Sequence, residues 1–221
     1  MKVEVYLKLT KQPYKAVVGG DPRKAPKGKM PFIDDGGTIV ADSQAIVDYL
    51  EKKLGSPIDG GLSDLDRARG HVIRRTFEEG LYFVALWTRW AEEAGWRETQ
   101  KFFDAIPSAV RWAITPIIRR KVVGATHAQG TGRHAREEIY EIGKRDLEAF
   151  ATLLGDRKYF LDDRLRTTDI VAYSFLANVL RAEIETPLKE AAKALPALDA
   201  YVTRIKREVD EAVSATAKAA E

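Results

Sequence analysis

Cysteine is absent from all 221 residues. That removes disulfide scaffolds, Cys-x-x-Cys redox chemistry, thiolate metal sites and cysteine nucleophiles together. Any sulfur chemistry must then be done on a thiol that arrives with a ligand. Histidine is scarce: His71, His127 and His134 are the only three, and they share no metal-ligand spacing, so no metal is expected. Neither charge sign dominates, since 36 Lys and Arg face 33 Asp and Glu for a net +3. The one basic run, Arg119-Arg120-Lys121, lacks interleaved aromatics, so no nucleic-acid partner is expected. Long apolar runs are missing too. The longest stretch of the helical part free of charge and proline, Ile170 to Leu180, is about half of a membrane span. Lys2 and Glu4 interrupt anything like a signal peptide. A cytoplasmic protein with no membrane span is expected, and 45% hydrophobic residues suffice for a core.

What is present changes character near residue 60. Residues 1–55 are short apolar runs broken by turns, 56–63 are a breaker-rich linker, and 64–221 carry helix-period patterns. Tyr14–Val18 reads as a strand, and so do Met30–Ile33 and Thr38–Val40, joined through Asp34-Asp35-Gly36-Gly37 as a hairpin. Asp42-Ser43 caps a helix with Ile46, Val47, Tyr49 and Leu50 on its apolar face, stopped by Gly55. The first ten residues fit two periods: Val3, Val5, Leu7 and Leu9 alternate as in a strand, while Val3, Tyr6, Leu7 and Thr10 fall on one helix face. Ser63 and Asp66 form a capping box opening one long helix through Ile73, Phe77, Leu81 and Val84 to a stop at Gly95. Further helices are expected over 97–105, 108–123, 135–154, 167–183, 187–194 and 197–213.

Residues 28–54, from Gly28-Lys29-Met30-Pro31-Phe32 through Ala41-Asp42-Ser43-Gln44 to Leu54, resemble the N-terminal domain of the glutathione S-transferase superfamily. Phe160-Leu161-Asp162-Asp163 with Thr167-Thr168-Asp169-Ile170 resembles that family's C-terminal signature. Arg74, Glu78-Glu79, Tyr82, Arg89-Trp90 and Gln129–His134 look most like its metaxin and failed-axon-connections branch. The resemblance implies an α+β chain: a truncated thioredoxin-like domain with a small mixed sheet, then an all-α C-terminal domain. It makes the first ten residues a helix and puts the family's first strand and catalytic loop before Met1. An internal methionine misread as the start is the expected reason.

The resemblance also implies ligand contacts. A cis Met30–Pro31 peptide would offer Met30's backbone to the cysteinyl part of glutathione. Asp42 and Ser43, at a helix start, would hold the γ-glutamyl carboxylate with Gln44 at its edge, and Lys29, Lys27 or Lys24 would meet the glycyl carboxylate. No catalytic residue can be named. Two readings stand open: a transferase joining glutathione to a small apolar electrophile, with a homodimer allowed, and a non-catalytic metaxin-like binding or scaffold protein. From the residues themselves, Arg74–Glu78 and Arg75–Glu79 read as helix-surface ion pairs four apart, with a buried network of Arg74, Glu78 and Arg89 the lesser reading. Trp87, Trp90, Trp96 and Trp112 read as core. Arg166 stands where the family places a Ser or Thr cap, so Thr167 is expected to cap instead.

Overall fold

The structure, a computed structural model, describes residues 1–17 and 25–218. Its first decade is α1 (Lys2–Leu9), so the helical period prevails over the alternating one. The reason is packing on several sides, against helices from both halves of the chain. Val3, Val5 and Tyr6 are buried there. The Tyr6 hydroxyl donates to Glu51 Oε1 at 2.7 Å.

The hairpin forms as β1 (Phe32–Asp35) and β2 (Thr38–Ala41), antiparallel, with Phe32 opposite Ala41 and Asp35 opposite Thr38. Gly36 and Gly37 make the turn at φ 61° and 92°, values that a two-residue hairpin turn requires and glycine supplies without strain. The expected strand at Tyr14–Val18 is a correction. Residues 14–17 carry no strand, and Val18 lies outside the described residues. A strand is held by its neighbour, and the described sheet consists of β1 and β2 alone. Then comes α2 (Ser43–Lys53), with Ile46, Val47 and Leu50 buried. The buried Glu51 carboxylate accepts the Ile58 and Asp59 amides as well as Tyr6, fixing where the chain leaves α2.

Ser63 caps α3 (Asp64–Arg75) by accepting the Asp66 amide. The expected unbroken helix is interrupted by a π-helical turn, Thr76–Leu81, before α4 (Tyr82–Trp90). The stop also lies earlier than expected. Gly95 falls inside α5 (Glu93–Thr99), where a Cβ would sit 2.0 Å from the Thr88 carbonyl oxygen. Its bareness lets α5 close onto α4.

After a 3-10 turn come α6 (Ser108–Gln129), α7 (Arg136–Leu154), α8 (Thr167–Leu180), α9 (Pro187–Lys193) and α10 (Pro196–Lys218). The core runs through α8. Phe77 stacks on Phe150 with centroids 3.6 Å apart and meets Phe160 edge-on, and Phe160 meets Tyr201 the same way. Trp96 is buried, but Trp112 is 82% exposed, so the expectation that it belongs to the core fails.

The start of α8 corrects another expectation. Arg166 takes the cap position, and Thr167 is itself capped from the linker: Asp59 accepts both its amide, at 2.9 Å, and its hydroxyl. Arg166, only 3% exposed, donates to the Ile58 and Gly60 carbonyls and to Asp162. Asp169 accepts the Arg166 and Phe160 amides at 2.9 Å each and the Tyr201 hydroxyl at 2.8 Å.

Candidate functional site

A cleft of about 870 Å³ opens between α1, β1 and the start of α2 on one side and α3, α4 and α8 on the other. All five residues expected to bind, Lys29, Met30, Pro31, Asp42 and Ser43, line it. The chain approaches β1 through a cis Met30–Pro31 peptide. Met30 is half-exposed, and its backbone N–H and C=O have no hydrogen-bond partner among the described residues. The Pro31 carbonyl accepts the Asp42 amide at 3.3 Å, tying this corner to the start of α2.

Asp42 holds a φ of 87°, a backbone region that residues with a Cβ rarely enter. That turn lets its Oδ1 accept the Gln44 amide at 2.8 Å and the Ala45 amide at 3.1 Å. Burial works to raise the Asp42 carboxyl, but the two amides, with Lys2 and Lys27 nearby, outweigh it and hold it below its ordinary value. Asp42 is therefore committed to capping. The next residue keeps its donors: neither the Ser43 amide nor its hydroxyl has a partner among the described residues. Free amides and a hydroxyl at a helix N-terminus suit an anion. Lys29 is exposed at the mouth, and Lys24 lies outside the described residues.

Behind Ser43 stands a network that sequence reading placed elsewhere. Lys2, 9% exposed, donates to Glu78 Oε1 at 2.6 Å and to Gln44 Oε1 at 3.2 Å, and Glu78 Oε2 accepts Arg74 at 2.7 Å. The Arg74–Glu78 pair is thus part of the cleft wall and not a surface pair, whereas Arg75–Glu79 stays half-exposed as expected. Arg89 is not in this network. Its guanidinium donates to the Asn178 backbone carbonyl at 3.0 Å. No local signal could have found Lys2, because its partners lie 42 and 76 residues away.

The far half of the cleft is apolar and aromatic, lined by Tyr82, Ala85, Leu86, Trp90, Phe175 and Val179. Tyr82 meets Phe175 edge-on at 6.2 Å. Burial raises the Tyr82 phenol and so keeps it protonated, a hydroxyl donor beside an apolar surface. One cleft thus offers backbone amides and a serine at one end and an aromatic lining at the other.

A cis-proline hairpin leading to a serine-tipped helix, followed by an all-helical unit with a buried aspartate at the start of its central helix, defines a thioredoxin-like unit joined to a helical domain. Residues 1–95 match the glutathione S-transferase N-terminal domain, and 143–205 match the glutathione S-transferase C-terminal domain. The isoprene-epoxide glutathione S-transferase of Rhodococcus is 31% identical over 84% of this chain and 80% of its own length. The chain belongs to the glutathione S-transferase family. Failed axon connections of Drosophila melanogaster is 27% identical over 93% of the chain, which spans only 52% of that protein. Human metaxin-2 is 23% identical, over 94% of the chain and 80% of its own length. Among solved structures, a beta-etherase from Sphingobium superposes with a TM-score of 0.67 at 15% identity, covering 96% of this chain and 93% of its own, a likeness of fold.

Proposed function

We propose that this protein binds glutathione in the cleft and presents its thiol to a small apolar electrophile. Residues 1–55 would carry most of the peptide-binding half, 56–63 the linker and 64–221 the helical half. The observation that carries the reading is the meeting of Met30's free backbone groups and Ser43's free amide and hydroxyl in one hollow with an aromatic wall. Those groups fit a peptide backbone and a carboxylate, and Lys29 fits a second carboxylate at the mouth.

Conjugation of an epoxide, the class of electrophile named for the Rhodococcus relative, balances simply. The glutathione sulfur forms a bond to an epoxide carbon, the carbon–oxygen bond breaks, and the alkoxide takes a proton. Tyr82, which lines the cleft, would supply a hydroxyl donor for that oxygen. Among the described residues no helix is long and apolar enough to cross a membrane, and a cytoplasmic location is part of this proposal.

Titration calorimetry with glutathione tests the binding half. Ser43→Ala should weaken affinity by about 1.5–3 kcal/mol, the worth of a hydrogen bond to a charged group; an unchanged affinity would place the ligand elsewhere. Product analysis with glutathione and a small epoxide tests the conjugating half. Glutathione binding without any conjugate would favour the binding-protein reading, which the likeness to metaxin-2 supports.

A further inference from the structure

The cations of the cleft wall are not alike. Lys2 and Arg74 share the Glu78 carboxylate, and Arg75 has Glu79. Arg89 lines the same cleft yet has no carboxylate within ion-pair distance among the described residues. Among the described residues its side-chain hydrogen bonds go to Asn178 alone, at 3.0 Å to the backbone carbonyl and 3.5 Å to the side-chain oxygen. That side chain is itself held, because its amide donates to the Ser174 carbonyl at 2.7 Å. Asn178 therefore fixes one corner of the guanidinium and leaves the remaining N–H donors of a cleft-lining side chain without a partner among the described residues.

The same cleft is lined by Tyr82, Trp90, Phe175 and Val179, and burial lowers the Arg89 guanidinium from its ordinary value. Arg89 is only partly exposed, and a cation partly shielded from water without a counter-charge is suited to an anion that arrives with the ligand. Position says which ligand. Arg89 follows Glu78 by eleven residues of nearly continuous helix, about 16 Å at 1.5 Å per residue. It therefore lies well away from the Lys2–Gln44 end of the cleft, where Ser43 sits.

We propose that Arg89 is a specificity residue, and that the otherwise apolar electrophile taken by this cleft carries one acidic group. An apolar body would lie against Tyr82, Trp90 and Phe175, with a carboxylate or sulfonate bound to Arg89 at the end remote from the reacting carbon. The electrophile part of this inference rests on the glutathione reading; the anion site does not.

Two dyes separate them. 1-Anilinonaphthalene-8-sulfonate and its uncharged analogue N-phenyl-1-naphthylamine are titrated by fluorescence into the full chain without glutathione. The variants are Arg89→Gln and Arg89→Lys. In Arg89→Gln the sulfonate Kd should rise at least tenfold while the neutral dye moves less than twofold, and Arg89→Lys should fall between. Equal weakening of both dyes, or no change in the sulfonate, would overturn the anion site. A tenfold loss of glutathione affinity in Arg89→Gln would overturn it too, by giving Arg89 to glutathione's own carboxylate. The dye pattern appearing without any glutathione binding would leave Arg89 as an anion site and sink only the glutathione reading.

Discussion

Asp169, buried, and Asp146, partly buried, show how much a carboxylate depends on what surrounds it. Asp169 accepts three hydrogen bonds, from two backbone amides and the Tyr201 hydroxyl. Asp169→Ala should cost about 3 kcal/mol or more in urea unfolding, since each stranded donor loses about 1–3 kcal/mol. Asp146, on α7, has no such support. Its Oδ2 is buried without a partner, 2.9 Å from where a Cβ on Gly80 would stand. Burial pushes its carboxyl up to about 6, while the unfolded chain titrates near the ordinary value of about 3.9. The folded state therefore holds a proton that the unfolded state has released across that window. Asp146's contribution is most favourable below pH ~4 and is lost as pH rises through ~6. Asp146→Asn should stabilise the protein by about 1 kcal/mol at pH 7–8, a value reduced from the full two-unit shift because the group is partly solvated. The gain should disappear at pH ~4. Urea midpoints of the two proteins across that range check it, and a gain that did not change with pH would mean that the carboxyl does not titrate between the two values.

Among the elements, helices and turns that obey local rules were the legible ones. Ser63–Asp66, Asp42 and the double glycine of the hairpin carry their own signals, and α2, α3 and the β1–β2 turn follow from them. Gly95 misled because a glycine that stops a helix and a glycine that admits a neighbouring helix look the same in sequence. Only the Thr88 carbonyl, 2.0 Å from its missing Cβ, tells them apart. The Arg166 position misled for a related reason. A family cap is replaced here by the carboxylate of Asp59, five residues before α3 begins, which caps Thr167 from over a hundred residues away. Met30, Pro31, Asp42 and Ser43 were legible because they fall within one short motif, whereas Lys2, Glu78 and Arg89 meet the cleft through tertiary packing. The linker's attachment yields a prediction. Arg166→Ala leaves the Ile58 and Gly60 carbonyls and Asp162 without their cation. It should cost about 3 kcal/mol and make residues 56–62 the first site of limited proteolysis. Arg166→Lys should not restore stability, because a single ammonium cannot reproduce the planar fork that serves three acceptors.

At the scale of the whole molecule, the cleft exists because α1 is held against the helical half, and the Lys2–Glu78 pair is the polar part of that hold. Its side chains are 8% and 17% exposed, against 53% and 50% for Arg75–Glu79 one residue further on. Glu78 and Glu79 share a helix turn, but Lys2 reaches Glu78 from α1 while Arg75 meets Glu79 within one helix, so the second pair serves as an exposed, local reference for the first. Salt screens exposed charges over about 10 Å at 0.1 M and reaches buried pairs far less. Double-mutant cycles with Lys2→Met and Glu78→Gln should give a coupling of about 2 kcal/mol that survives 1 M salt; breaking a buried pair is costly in itself. The Arg75→Met and Glu79→Gln cycle should give under about 0.5 kcal/mol at low salt and nothing measurable at high salt. Lys2 also holds Gln44 beside Ser43, so Glu78→Gln should lower glutathione affinity although Glu78 need not touch the ligand, because it loosens the lysine that fixes that corner. Equal salt sensitivity of the two cycles would mean that Lys2 is open to solvent, and the two halves would then owe their fixed arrangement to apolar packing alone.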